Sequence, residues 1–431
     1  MKLVLLNPAN VAGNATLADS SYQKNPPLSL AVVAGLTSPD DWEVVIQDGL
    51  WEPLRFDPTA DIVGCTAFTS MAPAAYEALR PYRDAGIPTI LGGVHGSFCE
   101  LEARKYAGSV FVGEAEDAWW QVLTHAKCGL SPVYRGERME CFGRPRYDLL
   151  DSRYKLGTIQ LARGCAAHGN PKDCNFCSVW KFNGQKVRRD SVENVLHNLS
   201  QIKQRIVFAV DDNLGGSTAM LREIVASGIG KRFMGQADMA ALHNTSFLTA
   251  AKAAGVKLVL VGVEDANHPK NKRTGVDFRQ AHEHGIAVLG CFIFGFDQDT
   301  RESMLERARF IGECGCDCAQ VSILTPLPGT DLYAELSDRI IYRDYPADWA
   351  RYNFGNLVHV PAGFRCEEEF YETMTECIEI VYDADTMHTM THRCWETAGT
   401  EASGWALNVN ANYASIARGC AARWGKSEAT V

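Results

Sequence analysis

Three cysteines stand where a metal centre could use them. In GTIQLARGCAAHGNPKDCNFCSVWKFNG an apolar run meets Arg163 and Gly164 and is followed by Cys165, Cys174 and Cys177, a C-x8-C-x2-C spacing. A CxxC turn offers two thiolates to one centre, and a cysteine on the preceding loop brings the ligands to three. Three readings are open. Three thiolates on a cubane iron–sulfur cluster leave one iron free for a bound substrate. A closed zinc site wants four ligands; His168 could be the fourth, although zinc thiols usually come as two short couples and no second couple is near. Inert core thiols would suit an apolar strand, whereas this segment is rich in Gly, Asn, Asp and Lys.

The elements that must position this loop are strands alternating with helical patterns. After it come RIVFAVDDN at 205–213, RFMGQADM at 232–239, KLVLVGVED at 257–265, AVLGCFIFGFD at 287–297 and CAQVSILTPLPG at 318–329. Between them, helical patterns such as SFLTAAKAAG, FRQAHEHG and SMLERARFIGECG end on glycine, a common helix stop. With the strand before Cys165 these make at least six β/α units, enough for a full or partial barrel whose site lies at the carboxyl ends of its strands. Asp211, Asp212, Asn213, Gln236, Glu264, Asp297 and Ser322 all fall at or near those ends. Each has a local alternative: Asp212, Asn213 or Asp297 as a helix cap, Glu264 as the partner of Lys270 or Arg273.

Upstream, KLVLLN at 2–7, WEVVIQ at 42–47, DIVGC at 61–65, PTILGG at 88–93 and SVFVG at 109–113 alternate with helical patterns. The whole reads as an α/β chain: a doubly wound, flavodoxin-like or Rossmann-like domain ahead of the barrel. Ligands of such sheets sit beyond the strands' carboxyl ends, which points to Asn7, Pro8, Thr66 to Ser70, Gly92, Gly93, Val94, His95, Gly113 and Glu114 to Glu116. Gly92 and Gly93 would let a planar ligand approach the backbone, or merely turn the chain. A lone histidine such as His95 at a strand end is more often a hydrogen-bonded loop residue than a metal ligand. The expected division is 1–130 for the first domain, 131–156 for a linker, 157–336 for the barrel and 337–431 for a helical, cavity-closing region. In the last of these, Trp349, Tyr352 and Phe354 could line a substrate cavity or simply pack. Cys314, Cys316 and Cys318 enter a strand, where alternation would place all three on one face as core thiols.

Composition narrows the classes further. The 431 residues carry 42 Lys and Arg against 52 Asp and Glu, a net charge of −10, which removes the broad positive field of non-specific nucleic-acid binders. Fifteen cysteines is an odd, high count, unlike a disulfide framework and in keeping with a reducing, cytoplasmic setting. The opening MKLVLLNPANVAGN turns polar too early for a signal-peptide core. No apolar stretch approaches the roughly 20 residues of a membrane span.

The motifs RGC…CNFCSVW, VDDN, GQADM, VGVED, FIFGFDQDT and SILTPLPGT resemble those of radical S-adenosylmethionine (SAM) enzymes. LNP, the Pro26–Pro27 pair, GGVH and GEAE resemble the first domain of their cobalamin-binding subgroup. The loop between the first two cysteines is longer than the family's usual C-x3-C-x2-C, and no D-x-H-x-x-G occurs in residues 1–150. The resemblance implies a 4Fe-4S cluster on Cys165, Cys174 and Cys177, with Phe176 over the adenine of SAM. Asp211 to Asn213 would take its amino group, and Gln236, Glu264 and Ser322 would lie against other parts of the cofactor. It implies cobalamin on the first domain without a histidine beneath the cobalt, and an external electron donor of flavodoxin or ferredoxin type. The implied activity is methyl transfer to a carbon of a small or medium organic substrate through a 5′-deoxyadenosyl radical and methylcobalamin. Radical cyclases, oxidases and ring-rearranging enzymes use the same two domains. A non-catalytic iron–sulfur or cobalamin carrier is the alternative from another class.

Overall fold

The computed structural model describes residues 1–9, 24–166 and 171–424; His168, the candidate zinc ligand, lies outside them. Six strands form the first sheet: β1 (Lys2–Asn7), β2 (Glu43–Asp48), β3 (Ile62–Thr66), β4 (Thr89–Gly92), β5 (Ser109–Gly113) and β6 (Val133–Gly136), all parallel in the order β2-β1-β3-β4-β5-β6. Leu3 to Leu6 are at most 1% exposed because helices cover both faces, which is why the strand reads as an unbroken apolar run. β6 comes from the stretch expected to be linker. It fits because Gly113 (φ +88°) and Gly136 meet without side chains: a Cβ on Gly136 would lie 1.6 Å from the Glu114 carbonyl oxygen. This strand order reverses direction between β1 and β3, so the ligand crevice of the sheet opens at the ends of those two strands.

The second sheet holds β7 (Leu156–Ile159), β10 (Ile206–Ala209), β11 (Arg232–Ala237), β12 (Val256–Glu264), β13 (Ala287–Phe294) and β14 (Cys318–Ile323), again all parallel and in that spatial order. β7 and β14 are its two unpaired edges, so the barrel is partial. Its outer face packs on helices in one large apolar core. Its inner face is filled at the strands' early positions by the helix Thr400–Trp424, whose Ala402, Ala406 and Val409 meet Leu156, Met234, Leu258 and Leu289. The bottom of the barrel is thereby closed and the carboxyl-end mouth left for chemistry. A two-stranded antiparallel ribbon, β8 (Ala162–Arg163) with β9 (Arg188–Arg189), pinches the base of the cysteine loop into a hairpin.

In the chain's last third one expectation fails and one open alternative is decided. Cys314, Cys316 and Cys318 do not share a face. Cys314 caps a helix, Gly315 turns the chain at φ +91°, Cys316 enters the outer core and Cys318 the inner one. Trp349 and Tyr352 pack rather than line a cavity, being 3% and 1% exposed against the first domain's helix Ala72–Asp84. Phe354 is different: half exposed, at φ +64°, with its carbonyl accepting from Ile323 N–H at the end of β14 (2.7 Å). No helix among the described residues is long and apolar enough to cross a membrane.

Candidate active site at the barrel mouth

The hairpin from Gly164 to Val187 carries the three cysteines across the carboxyl ends of the second sheet. Cys165 N–H donates to Gly184 O and Cys177 N–H to Cys174 O, each at 3.0 Å, closing the hairpin and its CxxC turn. The far side is strapped down by Lys181 to Asp331 (2.6 Å), Arg273 to Asp173 (2.5 Å) and Leu332 N–H to Asn175 O (3.0 Å). Burial pushes the Cys174 thiol up to about 12 and the Cys177 thiol up to about 11; Cys165 and Glu264 add to both shifts, Cys177 adds at Cys174, and Lys270 opposes them there. The three sulfurs therefore share one poorly solvated field. Among the described residues no three His, Cys, Asp or Glu side chains stand at metal-holding geometry. The donor set nevertheless fits an iron–sulfur cluster in kind: two thiols on one turn and a third at the base of the same hairpin, which would bind iron as thiolates.

The VDDN segment at the end of β10 supports this hairpin. Asp211 is fully buried, accepting from Leu161 N–H (2.6 Å) and Ser217 Oγ (2.8 Å). Asp212 accepts from Gly164 N–H (2.7 Å) and from Asn183 Nδ2 (3.0 Å), joining the two ends of the hairpin, and burial raises its pKa. Asn213 caps Gly215 N–H (3.0 Å) and donates to Asp238 (2.9 Å). Gln236 is exposed on β11, and Ser322 is half-buried on β14. Glu264, at φ +62° where β12 breaks register with β13, is the buried partner of Lys270 at 2.7 Å. Phe176 forms an edge-to-face cluster with His268 (6.3 Å) and Phe296 (6.4 Å). Burial and then Lys270 lower the His268 pKa, so its imidazole is neutral at pH 7. The mouth thus combines an apolar aromatic wall with one buried ion pair beside the thiols.

In the first domain, Asn7 and Pro8 are buried at the end of β1, Asn7 donating to Asp48 (2.8 Å). Thr66, Ser70 and Val94 are half-buried. Gly93 (φ +89°) is required by the chain itself, since a Cβ would lie 2.7 Å from Thr66 Oγ1, whereas Gly92 has ordinary space. His95 is wholly buried, its Nε2 2.9 Å from Tyr76 Oη and its ring against Trp349. It is withdrawn from the crevice, which accordingly offers no imidazole there.

Sequence reasoning missed the contact between the domains. Glu114 accepts from Arg163 Nη1 and Arg188 Nη1, both at 2.9 Å, and pairs a second time with Arg188 Nη2. Glu116 lies 2.6 Å from Arg163 Nη2. Burial pushes the Glu114 carboxyl up, but the two arginines outweigh it and hold its pKa below the ordinary value. The available signal was complementarity alone: two acids in GEAE and an arginine on each ribbon strand.

A flavodoxin-order sheet, a six-stranded partial barrel and a three-cysteine hairpin at the barrel mouth make up a two-domain fold that is also found in a solved radical SAM methyltransferase. In particular, the chain is similar to the radical SAM methyltransferase TsrM from Kitasatospora setae, solved with cobalamin and a [4Fe-4S] cluster: TM-score 0.68, 15% identity, 99% of both chains covered. In sequence it is 26% identical to the bacteriochlorophyllide d C-12(1)-methyltransferase of Chlorobaculum tepidum, over 81% of this chain and 82% of that protein. It is 24% identical to the anaerobic magnesium-protoporphyrin IX monomethyl ester cyclase of Rubrivivax gelatinosus, over 84% and 74% respectively. No family model matches the chain.

Proposed function

We propose that this protein is a cobalamin-dependent radical SAM methyltransferase acting on a carbon of a small or medium organic substrate. The observation that carries the reading is the cysteine hairpin, held over a partial barrel's mouth and clamped to a domain of flavodoxin strand order. Cys165, Cys174 and Cys177 would hold the cluster, and the crevice at the ends of β1 and β3 would receive cobalamin. When bound, these groups supply one-electron cleavage of SAM and a carrier for its methyl group.

The chain's own residues bind, orient and exclude water. Phe176, His268 and Phe296 give SAM a dry aromatic wall, with the imidazole neutral so that it brings no charge towards the sulfonium. Lys270 and Glu264 neutralise each other beside the thiols; in a site without water an unpaired charge there would disturb both thiolate formation and electron transfer. Asp212 holds Gly164, and with it Cys165, in register. Asp211, occupied on both oxygens, keeps the strand beneath the hairpin in place. An external electron donor of flavodoxin or ferredoxin type would approach the hairpin's solvent side.

A cyclase reading is kept because of the 24% identity to the anaerobic cyclase over most of this chain. One experiment separates the readings: anaerobic reconstitution with iron, sulfide and cobalamin, then addition of SAM and dithionite. Methyl transfer consumes SAM to S-adenosylhomocysteine as the carrier is reloaded, whereas a cyclase yields 5′-deoxyadenosine without it. A protein with a full cluster that consumes no SAM would be a carrier, and the enzyme reading would fall.

A further inference from the structure

We infer that Glu114 is a positioning residue through which the first domain sets the cysteine hairpin in place; the inference rests on the reading of that hairpin as the cluster loop. The carboxylate is delivered rigidly. Its backbone leaves β5 through Gly113 at φ +88°, and its carbonyl lies against Gly136 so closely that no side chain could fit between them. It is also 6% exposed and receives Met139 N–H at 3.2 Å. Its two arginine partners occupy paired positions of the ribbon, Arg163 opposite Arg188. Arg163 immediately precedes Gly164 and Cys165, while Arg188 reaches back to Asn183 O (3.0 Å). Asn183 in turn donates to Asp212, which accepts from Gly164 N–H. One acid from the first domain thus touches both strands at the hairpin's base, and the network closes on the residue next to Cys165.

This arrangement has a consequence that burial of apolar surface would not. A buried, oriented ion pair is costly unless its geometry is kept, so it selects one register of the ribbon. A two-residue ribbon lacks the hydrogen bonds to select that register by itself. The hairpin's place relative to the barrel is therefore written partly in the other domain. GEAE then works as a grip on the neighbouring domain, with Glu116 steadying Arg163 from the second side.

The test is hydrogen exchange by mass spectrometry on the full chain, first without cofactors and then after cluster reconstitution. In Glu114→Gln, amides of peptides spanning 161–190 should exchange at least tenfold faster while those of β12 and β13 are unchanged, and Glu114→Asp should recover part of the protection. In the reconstituted protein, Glu114→Gln should also alter the electron paramagnetic resonance signal of the reduced cluster. Glu116→Gln, which leaves both Glu114 pairs in place, should loosen the same peptides less; if Glu114→Gln does not fold, Glu114→Asp decides the matter, by faster exchange at 161–190 alone or by none. Unchanged exchange at 161–190, or acceleration spread evenly over the chain, would overturn the inference. The exchange measurement needs no cluster, so a protein that shows this local loosening yet binds no iron would refute the proposed function and leave the positioning role standing.

Discussion

Asp211 allows a prediction in which structure and resemblance point in opposite directions. As a contact for the amino group of SAM, its carboxylate would be exposed, charged and indispensable; in the structure it is fully buried under the hairpin with both oxygens occupied. Burial, with a smaller contribution from Asp212, raises its pKa from an ordinary 3.8 to about 7, against the opposing effect of its donors. The folded protein therefore binds a proton more tightly than the unfolded chain, so stability falls as pH rises from about 4 to about 7 and the full loss is present above that. At about 1.4 kcal/mol per pH unit the loss is about 4 kcal/mol. Asp211→Asn keeps both hydrogen bonds, because its amide oxygen can accept from Leu161 while its NH2 donates to Ser217, whose hydroxyl turns. The variant should match the parent near pH 4 and exceed it by up to about 4 kcal/mol at pH 8, read by urea unfolding followed by circular dichroism. It should also bind SAM as the parent does. Parallel pH profiles for the two proteins, or loss of SAM binding at unchanged iron content, would refute the reasoning.

Three further outcomes follow from the same site. Replacing Cys165, Cys174 or Cys177 singly with Ala should abolish stable iron binding, measured as iron per chain after anaerobic reconstitution, while Cys316→Ala, buried in the outer core, should leave it intact. Lys270→Met strands Glu264 in a buried site, a change that costs about 3–5 kcal/mol when one partner of a buried pair is removed. It also removes the cation that favours the Cys174 thiolate, so iron uptake should shift to higher pH, seen by titrating cluster absorbance. Phe176→Ala should leave iron content unchanged and weaken SAM binding roughly fivefold, the equivalent of about 1 kcal/mol of aromatic contact, measured by equilibrium dialysis.

The strands were legible because parallel sheets covered on both faces demand continuous apolar runs. KLVLLN and SVFVG keep the bounds read from sequence. β6 was not, because VYRG is four residues long with only Tyr134 buried, too short and too polar to stand out from a linker. The cysteine spacing pointed to the hairpin, but the ribbon that closes it has two residues per strand and leaves no periodic trace. VDDN marked the right strand end; which carboxylate turns inward depends on Leu161 and Ser217, and nothing in the local pattern encodes that. Trp349 and Tyr352 had the spacing of packing residues more than of a cavity wall, and the partner surface that settles it for the core comes from a helix more than 250 residues earlier in the chain.

Stability and placement are thus supplied by different residues. The barrel draws its stability from the apolar layers on its two faces, whereas the hairpin, whose three cysteines are only half-buried, has little core of its own. Replacing buried ion pairs by well-packed apolar side chains is often neutral or stabilising, so the Glu114, Arg163 and Arg188 group is poorly explained as a stabiliser. It is well explained as a device for placement, because Glu114 meets Arg163 and Arg188 at paired positions of the two ribbon strands. The acids of VDDN act in the same way on the barrel side, Asp211 on the strand and Asp212 on the glycine before Cys165. Held from both domains, a hairpin none of whose described side chains is fully buried can still carry its three thiols at the barrel mouth.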